Sequence, residues 1–184
     1  MFDVEAFLAE LVACGAADDA RQATHDALAR TLSGASGEVA AALAPPDGGI
    51  TLLHHAPDLT IANIAWAPHM RLMPHDHRMW AVIGIYGGSE DNQFFRRDAD
   101  GGLATTNDRR LDTGDVCVLG TQTIHAVTNP TGRLTGAIHV YGGDFVNQPR
   151  SQWGPGDLVE RPFSMETLRR QFADANDAAT ALDA

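Results

Sequence analysis

Apolar residues in the first quarter of the chain recur at helical spacing. Phe7, Leu8, Leu11 and Val12 fall on one stripe and predict a helix over residues 2–13. A second helical pattern runs from about Asp18 to Leu32, with Ala20, Ala27, Leu28 and Leu32 as its apolar members; Ser33-Gly34-Ala35-Ser36-Gly37 reads as its stop and loop. Glu38 to Leu43 predicts a short third helix, closed by Pro45-Pro46-Asp47-Gly48-Gly49. From Ile50 the helical period gives way to short β-rich runs. Ile50–His54, Leu59–Trp66, Trp80–Tyr86, Glu90–Arg97, Gly114–Leu119, Ile124–Asn129 and Thr135–Tyr141 read as strands. Between them lie Pro57-Asp58, Pro68, Gly87-Gly88, Asp100-Gly101-Gly102, Gly120 and Pro130-Thr131-Gly132. Short strands at close spacing between such turns predict an antiparallel sandwich or barrel. Downstream, Gln148–Gly156 reads as a loop and Leu158–Phe163 as a short apolar stretch. A helix is expected from about Ser164, which serves as its N-cap, while the acidic, small residues Asp174–Ala184 predict a frayed end.

The 184 residues are expected to form one domain: a helical cap over 1–45, a β-barrel core over 50–145, and a C-terminal loop and helix over 146–184. A separate N-terminal domain is not expected, because about 45 residues bury too little surface to be stable alone. Lys and Arg number 13 against 24 Asp and Glu, a net charge of −11, with no basic block. Such a surface repels phosphate backbones and anionic lipid, so nucleic acid and membrane are not expected partners. No apolar run approaches the roughly 20 residues that span a bilayer. Asp3 and Glu5 before Phe7 and Leu8 have the wrong sign for a signal peptide. Cys14 and Cys117 have no framework spacing and read as reduced thiols, Cys117 in an apolar core, which points to a cytoplasmic protein. Exposed sheet edges would let the chain pair as a homodimer.

The candidate chemistry centres on Pro74-His75-Asp76-His77. On an extended strand, side chains at i and i+2 point the same way, so His75 and His77 can share one metal ion while Asp76 faces the other side. The pair alone more often marks two solvated histidines on a loop than a metal site. Two imidazoles hold a metal poorly, and the best third ligand is His125, in Thr123-Ile124-His125-Ala126-Val127-Thr128-Asn129. His54, His55 and His69 read as strand-end or loop residues, His25 as a solvated cap residue, and Trp66 and Trp80 as barrel packing.

The order of features is His-x-His, a Gly114-Asp115 turn, a strand, Gly120, and then His125 followed after Ala126-Val127-Thr128 by Asn129. That order resembles the two motifs of the cupin family. The resemblance implies a double-stranded β-helix, or jelly-roll barrel, with the ligands meeting inside it near its mouth. Many cupins add a glutamate after His-x-His; Met79, Trp80, Ala81 and Val82 offer none. The three-histidine set is similar to that of the cysteine dioxygenase, or thiol dioxygenase, branch, which holds Fe(II). Trp66 is placed like a strand tryptophan of that family. Ala137-Ile138-His139-Val140-Tyr141 resembles its Ser-x-His-x-Tyr, in which serine, histidine and tyrosine form a hydrogen-bonded chain; Ala137 replaces the serine. The similarity covers roughly Ile50 to Tyr141.

The resemblance implies iron held by His75, His77 and His125, with a small thiol and O2 as substrates and Tyr141, steadied by His139, as the assisting group. Neutral imidazoles also suit Ni, Cu or Zn. Loss of the serine should loosen His139 or admit a water. The early-strand arginine that grips the carboxylate in cysteine dioxygenases has no counterpart in Ile50–His55. Arg150, similar in placement to an arginine of 3-mercaptopropionate enzymes, and Arg78, beside the ligand strand, are the candidate substrate clamps. Val82 stands where some members carry a cysteine crosslinked to the tyrosine, so no crosslink is expected. Two other readings stay open: a metal-binding cupin that senses or stores a small ligand without oxidising it, and an isomerase or hydrolase in which Mn or Zn is a Lewis acid.

Overall fold

The computed structural model describes residues 2–99 and 102–182. Asp100 and Gly101 of the expected turn, and residues 183 and 184 of the expected frayed end, lie outside the described residues. Helix α1 (Val4–Gly15) starts where the Asp3 side chain accepts from the Ala6 amide at 3.0 Å. Helix α2 (Ala20–Leu43) is capped in the same way by Asp19, which accepts from the Gln22 amide at 3.1 Å.

The expected stop at Ser33–Gly37 is instead a kink inside α2, at Ala35 with φ −130° and ψ 17°. Tertiary packing overrides the weak propensity of the glycines: Val39, beyond the kink, is fully buried beside Leu28 and Leu32. Ser36 Oγ donates back to the Leu32 carbonyl at 2.5 Å, so the kink leaves that acceptor satisfied. The predicted second and third helices are therefore one.

The described residues then form eleven strands: β1 (Gly49–His55), β2 (Thr60–Trp66), β3 (Arg71–Asp76), β4 (Ala81–Gly87), β5 (Ser89–Arg97), β6 (Leu103–Asp112), β7 (Val116–Leu119), β8 (Ile124–Thr128), β9 (Thr135–Tyr141), β10 (Ser151–Trp153) and β11 (Glu160–Pro162). They lie in two antiparallel sheets, ordered β1-β2-β9-β4-β7 and β11-β10-β3-β8-β5-β6. The pairs β2·β9, β3·β8, β4·β7 and β5·β6 are those of one long hairpin whose tip is the β5–β6 turn. The pairs β4·β9, β5·β8 and β3·β10 are contacts between successive turns once that hairpin is wound up. A hairpin wound in this way is a jelly roll, and its two sheets face each other across one core.

The three central strands of the first sheet are buried on both faces, which is why β2, β4 and β9 read as nearly unbroken apolar runs. Ala62, Ile64, Trp66, Ala81, Ile83, Ile85, Ala137 and Tyr141 point into the barrel. Ile61, Val82, Tyr86, Ile138 and Val140 point outward, under Phe7, Leu11, Leu28, Leu32 and Val39 of the two helices. Helix α3 (Met165–Leu182) is capped by Ser164 Oγ, which accepts from the Thr167 amide at 3.1 Å. Its Leu168 and Phe172 plug the barrel, Phe172 stacking on Trp66 at 5.5 Å. Asn176 bonds both the amide and the carbonyl of Gly48, so the stretch from Asp174 is helical through Leu182 rather than frayed. No helix among the described residues is long and apolar enough to cross a membrane.

Asn129 is a turn clasp. Its Nδ2 donates to the carbonyls of Trp66, Ala67 and Arg133, while its Oδ1 accepts from the amide and hydroxyl of Thr131 and from the Thr135 hydroxyl. Asn129→Ala leaves several of these groups buried without partners and is expected to cost about 2–4 kcal/mol. Urea unfolding at unchanged m checks this; a loss under about 1 kcal/mol would show that the turn holds itself.

Candidate metal centre

The winding lays β3 beside β8 with His75 directly opposite His125. His77 follows β3 immediately and reaches the same space. The three rings sit 4.6 Å (His75 to His125), 5.0 Å (His75 to His77) and 5.1 Å (His77 to His125) apart, centroid to centroid. One ring nitrogen from each lies within 4.8 Å of the others, and all three residues are buried. Asp76 turns to the opposite side, where Oδ1 accepts from the Ser151 amide at 2.7 Å and Oδ2 from Arg78 Nε at 2.5 Å. This anchors the strand between the two imidazoles.

Hydrogen bonds on the far side of the rings set which nitrogens face inward. His75 Nδ1–H donates to the Met73 carbonyl at 3.1 Å, and His125 Nδ1–H donates to Asn92 Oδ1 at 2.8 Å. Both Nε2 atoms are left bare. His125 Nε2 is buried with no partner, and the Nε2 atoms of His75 and His77 face each other at 3.2 Å. Neutral imidazoles that close need either one N–H turned onto the other lone pair or a shared cation. The donor set fits a divalent metal of the Fe, Ni, Cu or Zn kind, with neutral imidazoles and no carboxylate among the three. Burial, the largest effect, holds His75 down at about 4 and His77 and His125 well below the ordinary histidine value; the neighbouring imidazoles add to it for the last two.

His139 and Tyr141 share the inward face of β9. His139 Nδ1 and the Tyr141 hydroxyl are 3.0 Å apart, and the Tyr141 ring stands edge-on to His77 at 5.0 Å. Burial lowers His139 to about 3 and pushes the Tyr141 phenol up. His139 Nε2 is buried without a partner, and Ala137, where a serine would stand, has no polar group to offer it. Val82 faces the helices, and the residue paired with Tyr141 across β4 is Ala81. The position read as the crosslinking one is thus on the wrong face of the strand.

The two arginines part company. Arg150 is buried, its guanidinium sandwiched between Phe145 and Phe163 at 4.3 and 4.0 Å. It donates to the Phe145 carbonyl, its Nε has no partner, and desolvation lowers it to about 10. Neither arginine lines the histidine cavity; both border an outer groove, where Asp76 and Ser151 hold Arg78, with Glu160 3.7 Å away. His55 pairs with Asp144 at 2.8 Å on the outside.

The enclosed cavity at the histidines has a volume of about 20 Å³, near that of one water. Its walls include Trp66, Tyr141, Phe145, Phe163 and Leu168. Behind His125 lies a buried chain that sequence reasoning missed. Trp66 Nε1 donates to Glu90 Oε2 at 2.6 Å, and Asn92 Nδ2 donates to Glu90 Oε1 at 2.8 Å. The available signal was a glutamate and an asparagine two apart on the inward face of β5.

No protein-family model matches the sequence. Many solved structures resemble the chain, three of them as follows. The cupin domain of Schizosaccharomyces pombe Cnp3 is 8% identical, with 52% of this chain and 64% of that one covered and a TM-score of 0.43. A cupin superfamily protein from Desulfitobacterium hafniense is 14% identical, with 58% and 88% covered and a TM-score of 0.46. An RmlC-like cupin from Methanocaldococcus jannaschii is 9% identical, with 55% and 85% covered and a TM-score of 0.46. The fold is cupin-like. The winding of the strands described above carries that statement; the likenesses agree with it and extend to fold alone.

The buried imidazoles make the metal-free protein sensitive to mild acid. Their folded-state values lie below the ordinary 6.5, so the unfolded chain binds protons that the folded one refuses. The loss begins as the pH falls through about 6.5 and grows toward about 4; His75 and His139 contribute about 2 kcal/mol each at pH 5, and His77 and His125 act in the same direction. Denaturant melts of metal-free protein at pH 7, 6 and 5 check this. A flat profile would mean that the rings are solvated.

Proposed function

We propose that the protein is an Fe(II)-dependent dioxygenase that oxidises a small thiol bearing a carboxylate, cysteine-like or 3-mercaptopropionate-like, to its sulfinic acid with O2. The observation that carries this reading is the three-histidine set without a carboxylate, with the Tyr141–His139 pair standing against His77. His75, His77 and His125 would hold the iron. When bound, redox-active iron supplies the electron-transfer chemistry that joins thiol sulfur to dioxygen.

The remaining work falls to the chain's own groups. Tyr141 presents a hydroxyl at the cavity wall, fixed by His139, where it can donate to an oxygen of the reacting group. With its Nδ1–H on the phenol oxygen, His139 leaves the Tyr141 proton free to point into the cavity. Arg150, outside the cavity but clamped by two of its wall residues, is a buried cation with no carboxylate on it among the described residues, and its planar fork suits the substrate's own carboxylate. The apolar walls around the rings exclude bulk water. The two free cysteines and a thiol substrate fit a reducing, cytoplasmic setting.

A second reading, a metal-binding cupin that senses or stores a small ligand, is favoured by one feature. The cavity of about 20 Å³ takes a water-sized group, so a thiol enters only if a wall residue moves aside. Oxygen-electrode traces of Fe(II)-loaded protein with cysteine, 3-mercaptopropionate and cysteamine separate the two. Uptake is expected with a carboxylate-bearing thiol, with sulfinate seen by mass spectrometry. Tyr141→Phe should lower kcat about 100-fold, and Arg150→Gln should raise KM for the carboxylate thiols. No uptake with any of the three thiols would reject the dioxygenase. A melting temperature raised by a non-thiol ligand would then select the sensor.

A further inference from the structure

The chain behind His125 has a direction. A carboxylate without a proton only accepts hydrogen bonds, and Trp66 Nε1 only donates. Glu90 Oε2 is taken by Trp66, so Oε1 is what remains for Asn92. An asparagine offers one donating and one accepting end. With its Nδ2 held on Glu90, Asn92 must turn Oδ1 toward His125, 2.8 Å away. An acceptor at that point requires a proton on His125 Nδ1. The neutral ring then has its lone pair on Nε2, the atom that is buried, unpartnered and grouped with His75 and His77. Trp66, Glu90, Asn92 and His125 are each buried at 4% exposure or less, so water does not compete for these bonds.

We propose that Glu90 is a positioning residue: through the Asn92 amide it fixes which nitrogen of His125 carries the proton and so keeps the metal-facing nitrogen bare. The proposal rests on the three histidines being a metal site. It is independent of the thiol chemistry.

The test reverses the polarity and then restores it. In E90Q, the introduced amide can accept from Trp66 only by turning its own NH2 toward Asn92. Asn92 then flips to accept that donor and presents its NH2 to His125. The proton moves to Nε2, and a metal can bind there only by forcing it back. In the double variant E90Q with N92D, the introduced carboxylate accepts from the introduced amide on one side and from His125 Nδ1–H on the other. The charge and the direction are both restored.

The readouts are the His125 ring nitrogen shifts by NMR in metal-free protein, and titration with Zn(II) and Co(II) without any thiol. E90Q should show the Nε2–H form and bind about 10- to 100-fold more weakly. The double variant should return both to the original values. Original shifts and affinity in E90Q, or a double variant as weak as E90Q, would overturn the proposal. If E90Q does not fold, N92D alone, with two facing carboxylates, is compared with the double variant. A tenfold recovery is expected, and equal affinity counts against the idea. Unaltered protein that binds neither metal would remove the metal site itself, whereas binding metal without oxygen uptake would remove only the dioxygenase.

Discussion

The structure turns on the desolvation of a group of imidazoles. Four histidine rings are sealed inside one end of a barrel, three with nitrogens close enough to share an ion. In water each would be hydrated and partly protonated near neutrality; inside, burial keeps all four neutral. A cluster of bare lone pairs in an apolar cavity is unfavourable by itself, and hydrophobic packing on every side must offset it. Sheet one does this twice over. Its inner face packs against the second sheet and α3, and its outer face packs against α1 and α2. The helical cap is therefore what lets β9 carry His139 and Tyr141 inward while Ile138 and Val140 are still buried outward.

Two of the three clustered rings are held from behind by a hydrogen bond, the third through its backbone, and the holders differ in kind. His75 is tied to the backbone two residues earlier, a contact that any extended strand could offer. His77 is placed by its neighbour Asp76, whose two oxygens grip Ser151 and Arg78. His125 alone depends on side chains from another strand, through Asn92 and Glu90 to Trp66. Local ties tolerate change elsewhere in the barrel. A side-chain chain of three links does not, because every member must keep its donor or acceptor role.

Legibility in the sequence followed the range of the interactions involved. The His-x-His pair, the His139–Tyr141 pair and most strands rest on period-two spacing, a property of adjacent residues. The inward turn of His125 could be read from its place on a β-rich run and from the motif order. Strand β6 escapes such a reading because Leu103–Asp112 is polar and mostly exposed; as the hairpin tip and a sheet edge, it leaves no apolar stripe. The kink in α2 reads as a stop because Gly34 and Gly37 signal a break, while Val39, which holds the second half in line, acts through contacts far along the chain. Glu90 looks like an ordinary polar strand residue. Its partners lie 24 positions before it and two after, and only the winding brings Trp66 to it. Arg78 sits next to the ligands in sequence, but a left-handed turn, φ 57°, sends it to Asp76.

The distribution of buried charge gives the site its remaining character. Asp76 is neutralised on the outer side by Arg78, with Arg97 3.6 Å away. Glu90 has only neutral donors, and burial pushes its carboxyl up. Arg150 has only carbonyls, a thioether and two aromatic faces, and burial pulls it down. A buried ion without a counter-ion is costly, and truncating one is not the same as never having had it. Arg150 itself borders an outer groove together with Arg78, Ser151 and Arg161. Phe145 and Phe163, which clamp it, are also walls of the cavity. An anion arriving from the groove would relieve the guanidinium and disturb the two rings at once. On the proposed reading, the substrate's carboxylate would meet Arg150 from that groove, and the two phenyl rings would join the guanidinium to the cavity wall.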